Sequence, residues 1–301
     1  MAPNAVGALL RRHPLLSFWV LAYAVTWALW APMVLAGWPA FSESTHLPSP
    51  AALPAVAVGV TGTAMLMTAV TQGRSGLRRL LSRLTDWRVD ARWYLLAVLA
   101  IPLIQVMITA VLVDAGALRA LTPAALVSYP AAYAGHFVFG PLFEETGWRG
   151  FALPRMQHRF GPMRSSLLLG LLWGGWHFLL YLPAWFSDGS AAGAAGLLSF
   201  VVFTTAISVV FTWLCNNTRA SLLLAMLLHG SINGTATYLQ RIADRGVITQ
   251  DAAVFSIGVG ALGAAVLLAV IAAALTHRRL SYPRYRYEAE HLDLGRATAA
   301  A

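Results

Sequence analysis

The chain has 301 residues, 58% hydrophobic and only 11% charged, with mean hydropathy +0.65 and formal net charge +9. Soluble domains carry about a quarter charged residues, so this composition excludes an ordinary soluble fold and points to an all-α, polytopic membrane protein. All 21 basic residues are Arg, and no basic soluble segment exists to engage nucleic acid, so the positive charge first needs a topological explanation.

Eight apolar stretches are long enough to cross a bilayer as helices: about 15–36, 52–71, 93–113, 126–146, 165–182, 194–215, 220–239 and 252–276. Arg11 and Arg12 before the first run, with Val34-Leu35-Ala36 near its end, also fit a cleavable leader. The run is longer than a leader core, however, and its Trp19, Trp27 and Trp30 suit a retained helix. Residues 73–92 are Arg-rich, with Trp87 and with Leu77, Leu80, Leu81 and Leu84 near helical spacing, which predicts an amphipathic segment on the membrane surface. Threading eight spans places 18 Arg on one side and only Arg119, Arg241 and Arg245 on the other. Retained basic residues mark the cytoplasmic face, so both termini are expected there, in the inner membrane of a bacterial cell. The chain reads as one membrane domain, 1–301, ending in a polar cytoplasmic tail at 277–301. Cys215, the one cysteine, excludes an intramolecular disulfide and a Cys-based zinc cluster.

Against this apolar background a few polar residues stand out. Glu144 and Glu145 end the fourth span, and ionised groups at bilayer depth are costly enough to be functional candidates by default. Arg149 follows Glu145 by four, on the same helical face, where an ion pair would fix that carboxylate; Glu144 is turned about 100° away and left free. His177 follows Trp173 by four, beside Gly174 and Gly175, small residues that allow another helix to approach. His229 and Asn233 are again four apart on one face. Gln105 and His136 are read as interhelical hydrogen-bonding residues.

Glu144-Glu145-x-x-x-Arg149, an aromatic four before His177, and His229-x-x-x-Asn233, in that order on successive spans, resemble the CPBP family. This family comprises CAAX-type intramembrane proteases and bacteriocin-processing enzymes, including the type II prenyl-protein endopeptidases. The resemblance covers about 126–240, four spans that would form the catalytic core. Trp173 departs from it, standing where the family usually has Phe.

The resemblance implies peptide hydrolysis: Glu144 with His177 would activate a water, His229 and Asn233 would donate to the oxyanion, and Arg149 would hold Glu145. A second wiring uses Glu144, His177 and His229 as zinc ligands; the preferred one requires no cofactor. The implied substrate is a membrane-associated, possibly lipidated, peptide or protein, entering laterally or from the cytoplasmic side. The same fold also suits a non-catalytic scaffold or immunity protein. A proton-coupled transporter would call for paired broken helices in two repeats, which the sequence lacks. Two patterns carry no function here. Gly258-x-Gly260-x-x-Gly263 lies inside an apolar span with no strand before it, and small-residue helix packing explains it. Asn233-Gly234-Thr235, a glycosylation sequon by its letters, falls within a predicted span.

Overall fold

A computed structural model describes residues 5–38, 49–185 and 190–286, and these form helices and connecting turns with no strand. In chain order the principal helices are α1 (Ala5–Arg12), α2 (Pro14–Leu35), α3 (Pro50–Thr85), α4 (Ala91–Leu112), α5 (Tyr129–Phe139), α6 (Pro141–Glu145), α7 (Leu153–Phe160), α8 (Pro162–Trp176), α9 (Phe178–Trp185), α10 (Ser190–Asn217), α11 (Leu222–Asp244) and α12 (Gln250–Leu275). Six of them are long and apolar enough to cross a membrane: α2, α3, α4, α10, α11 and α12. The chain is a multi-pass membrane protein.

The fourth and fifth expected spans, 126–146 and 165–182, are not continuous helices. Gly140 (φ −150°, ψ −70°) separates α5 from α6. Pro141 explains the break, since it lacks an N–H and its ring pushes the preceding residue out of helical backbone. The chain re-enters helix with Phe143 and Glu144 donating their N–H groups to the Gly140 carbonyl. A π-helical segment, Thr146–Ala152, follows and is buried throughout; such widened turns favour functional sites. The other break comes at His177, whose N–H reaches back to the Gly174 carbonyl in a tight last turn of α8.

Small residues set the packing around both breaks. A Cβ on Gly170 would lie 2.4 Å from the Thr205 Cα, and one on Gly174 2.6 Å from the Thr204 hydroxyl, so α8 and α10 meet backbone to backbone. Gly234 does the same for α11 against Tyr133 of α5. Gly260 sits against the Gln105 carbonyl and Thr109 of α4, and Gly263 against Ile108. Two of the three glycines of the apparent dinucleotide pattern thus form a helix-packing face, while Gly258 meets nothing within 4 Å.

The Arg-rich stretch after Gly73 also docks. Gly73 takes a positive φ of 63°, a conformation suited to glycine, and turns the helix out of its membrane axis. Beyond it Leu80 packs on Leu222 and Met226 at the start of α11. Arg83 donates to three carbonyls, Ala220 at 2.8 Å and Gly150 and Arg149 at 3.0 Å. One side chain therefore ties the surface segment to both the π-segment and the turn before α11. Of the expected polar tail, residues 287–301 lie outside the described residues; its start folds back, with Leu280 buried and its carbonyl accepting from Asn216 at 2.8 Å.

Candidate active site

Glu144 is 5% and Glu145 0% exposed, in the helix that restarts after Pro141. The two carboxylates have separate surroundings. Glu145 Oε1 accepts from Arg149 Nη1 and from His229 Nδ1, both at 2.8 Å. Arg149 is held in turn between the rings of Phe211 and Trp173, its guanidinium carbon 3.7 and 4.5 Å from their centroids. Two charges this deep are stable only as a pair, here with Glu145 Oε2 buried and without a hydrogen-bond partner, and the two rings, set nearly at right angles to each other, add a cation–π contribution.

Glu144 Oε2 accepts from two indoles, Trp173 Nε1 at 2.8 Å and Trp148 Nε1 at 3.3 Å. Its other oxygen, Oε1, lies 3.3 Å from where a Gly140 Cβ would stand, and Asn233 Nδ2 lies 3.9 Å from that same point. Glu144, Gly140 and Asn233 together form one end of a cavity of about 330 Å³. His177 lines it too, 8% exposed and stacked on Tyr181 at an interplanar angle of 3°. His177 Nδ1 lies 2.9 Å from the Trp173 carbonyl. A carbonyl only accepts, so Nδ1 carries the proton and Nε2 is left with its lone pair.

The candidates therefore divide into two layers. Glu144, His177 and Asn233 face the cavity; Glu145, Arg149 and His229 form a hydrogen-bonded layer beside it and do not line it. Because His229 gives its Nδ1 proton to Glu145, it can donate to an oxyanion only through Nε2 of a doubly protonated ring. Trp173 joins the layers: its edge-to-face contacts reach His229 at 5.2 Å and His177 at 5.8 Å between centroids, while its N–H holds Glu144. Sequence reasoning treated Trp173 as an enlarged Phe and passed over Trp148. The signal was present, because an indole, unlike a phenyl ring, carries a donor that must find a partner when buried.

His136, expected to be structural, bridges α5 and α11 through Nε2 and the Thr237 hydroxyl at 2.6 Å and also borders the cavity. Gln105 is buried on α4. For a metal, the described residues gather no group of three His, Cys, Asp or Glu side chains placed to hold an ion. On the cavity Glu144 and His177 offer acceptors and Asn233 an amide, a set that suits a water and an oxyanion.

Residues 93–235 match the family model of the type II CAAX prenyl endopeptidase Rce1-like proteins. Over these residues the chain is similar to the CPBP family of CAAX-type proteases. A relative, CAAX prenyl protease 2 of Methanococcus maripaludis, is 33% identical over 132 residues, 42% of this chain and 45% of that protein. The chain thus matches less than half the length of that relative. The matched region of the family runs from α4 into α11 and contains both helix breaks and every cavity-facing candidate of the site.

Beside Glu144, Gly140 and Asn233, the cavity's lining includes Trp30, Leu53, Tyr181, Gln240 and Ile257.

Proposed function

We propose that the chain is an intramembrane endopeptidase that hydrolyses a peptide bond of a membrane-associated substrate with a water activated by Glu144 and His177. The observation that supports it is the convergence of Glu144, His177 and Asn233 on one cavity at mid-span, with Glu144 held by two donors on its far oxygen. A water between Glu144 Oε1 and His177 Nε2 would give one hydrogen bond to each. Glu144 takes a proton as the water oxygen adds to the substrate carbonyl, and the Asn233 amide donates to the oxyanion that forms. The proton then passes from Glu144 to the departing amine as the C–N bond breaks. General-base assistance of this kind contributes about 10²- to 10⁴-fold and one oxyanion donor about 10²- to 10³-fold. Glu145, Arg149 and His229 act indirectly, holding α6 and α11 in register.

Glu144→Gln keeps the shape and removes the proton acceptor. It should leave the protein folded in detergent and abolish cleavage of a lipidated C-terminal reporter peptide. Full activity in that variant would remove the assignment and leave a non-catalytic scaffold as the reading.

A further inference from the structure

Two arginines and no acid hold the successive carbonyls of Arg149, Gly150 and Phe151 in the π-segment. Arg83 spends three of its five N–H groups on the Ala220, Gly150 and Arg149 carbonyls, which leaves two. Arg155, on α7, donates Nη1 to the Phe151 carbonyl at 2.9 Å and reaches the Thr71 hydroxyl with Nη2 only at 3.5 Å, so three of its five N–H groups, that of Nε among them, are unspent. Its guanidinium carbon lies 3.7 Å from the Phe151 ring centroid, which covers one face. Burial, and after it the positive charge of Arg83, brings Arg155 down to about 10, below the usual arginine range, while Tyr285 acts the other way. Among the described residues no carboxylate lies within ion-pair distance of either arginine. The acids that follow Arg83 in the chain are taken, Asp86 by Arg219 at 2.9 Å and Asp90 by Arg92 at 3.4 Å.

Two partly buried cations with two and three N–H groups to spare, and no counter-charge, suit a phosphate, whose oxygens accept several charge-assisted bonds at once in the fork geometry of arginine. The position favours a phosphate carried by lipid. The segment that bears Arg83 turns out of its membrane axis at Gly73 and exposes Leu81 and Trp87, with the Arg88 guanidinium carbon 5.6 Å from the Trp87 ring centroid. Tryptophan and arginine exposed together mark the headgroup level of a bilayer, where basic pockets between helices hold anionic headgroups. We infer that Arg83 and Arg155 form a site for a phosphate group, supplied by the headgroup of an anionic phospholipid, which bridges the surface segment of α3 to α7. Neither arginine lines the catalytic cavity, so the site stands whether or not the chain cleaves peptides.

Thermal unfolding of the full chain in dodecyl maltoside, with phosphatidylglycerol, phosphatidylcholine or inorganic phosphate added, tests the site, and native mass spectrometry counts the lipid retained. Phosphatidylglycerol should raise the midpoint of the parent and phosphatidylcholine should not. Arg155→Gln removes the charge and keeps a donor, and should raise the phosphatidylglycerol concentration needed for that shift about 10- to 100-fold. Arg159→Gln, at an exposed position of the same helix, should leave it unchanged. Should Arg155→Gln not fold, Arg155→Lys keeps the charge and loses the fork, and should bind the lipid several-fold less tightly. A phosphatidylglycerol response that is equal in the parent and the folded Arg155 variant, that falls as far in Arg159→Gln, or that is absent from the parent together with any response to inorganic phosphate overturns the site. Stabilisation of the parent by inorganic phosphate alone, lost in the Arg155 variant, upholds the phosphate site and overturns the lipid as its source.

Discussion

The indole N–H of Trp173 donates to Glu144 Oε2 at 2.8 Å, and the Trp173 carbonyl lies 2.9 Å from His177 Nδ1. One residue thus orients both groups assigned to the catalytic water, the base through its side chain and the histidine through its backbone. Its ring also separates His229 from His177 and covers Arg149. With Phe at this position, the backbone contact to the histidine would remain and the indole donor to the base would not.

Trp173→Phe should therefore separate positioning from folding. The ring contacts persist, Trp148 alone remains on Glu144, and a hydrogen bond to a charged group is worth about 1.5–3 kcal/mol. Turnover should fall about 10- to 100-fold, with KM little changed and the melting temperature within a few degrees of the parent. An unaltered kcat would show that Trp148 and the backbone suffice to hold Glu144.

Arg149→Ala leaves Glu145, fully buried, with only His229 as partner. Removing one member of a buried pair costs about 3–5 kcal/mol, so stability and activity should fall together. Detergent-phase thermal unfolding measures it, and an unchanged midpoint would mean that Glu145 is not ionised in the folded protein.

Gly140→Ala places a methyl group 3.3 Å from Glu144 Oε1, at the inner end of the cavity. Displacing a catalytic group by even a fraction of an ångström is expensive, so kcat/KM should drop about 10- to 100-fold. Normal kinetics in a soluble, folded variant would place the reacting carbonyl away from Gly140.

Metal dependence has a clear expected outcome. Protein purified through a chelator should hold far less than one equivalent of zinc and keep its peptidase activity, because the proposed mechanism needs only protein groups. Stoichiometric zinc by elemental analysis, lost together with activity in both His177→Ala and His229→Ala, would favour the three-ligand wiring.

Arg83→Lys probes the tie between the surface segment and the core. A guanidinium reaches the Ala220, Gly150 and Arg149 carbonyls at once, whereas an ammonium on a flexible stem cannot span that fork. Stability should fall by about 1–2 kcal/mol, read as earlier proteolysis near residue 83. Equal protease resistance would show that Leu80 and its apolar contacts alone hold the segment.

The sequence by itself determined the membrane class, the all-helical fold and the set of polar residues worth examining, because hydropathy and four-residue spacing are local properties. Glu145 with Arg149 needed nothing more than one helix to meet. It did not determine the two broken spans: Gly140-Pro141 and Gly174-Gly175 are visible as breakers, but whether a helix continues past them depends on what packs around the gap. Nor did it separate Glu144 from Glu145, or His229 from Asn233. Each pair lies within a turn or so of one helix, and only contacts from α8 and the π-segment send one member to the cavity and the other to the ion pair. The cavity was likewise tertiary: its lining comes from α2, α3, α5, α6, α8, α9, α11 and α12, helices far apart in the chain whose meeting no single segment encodes.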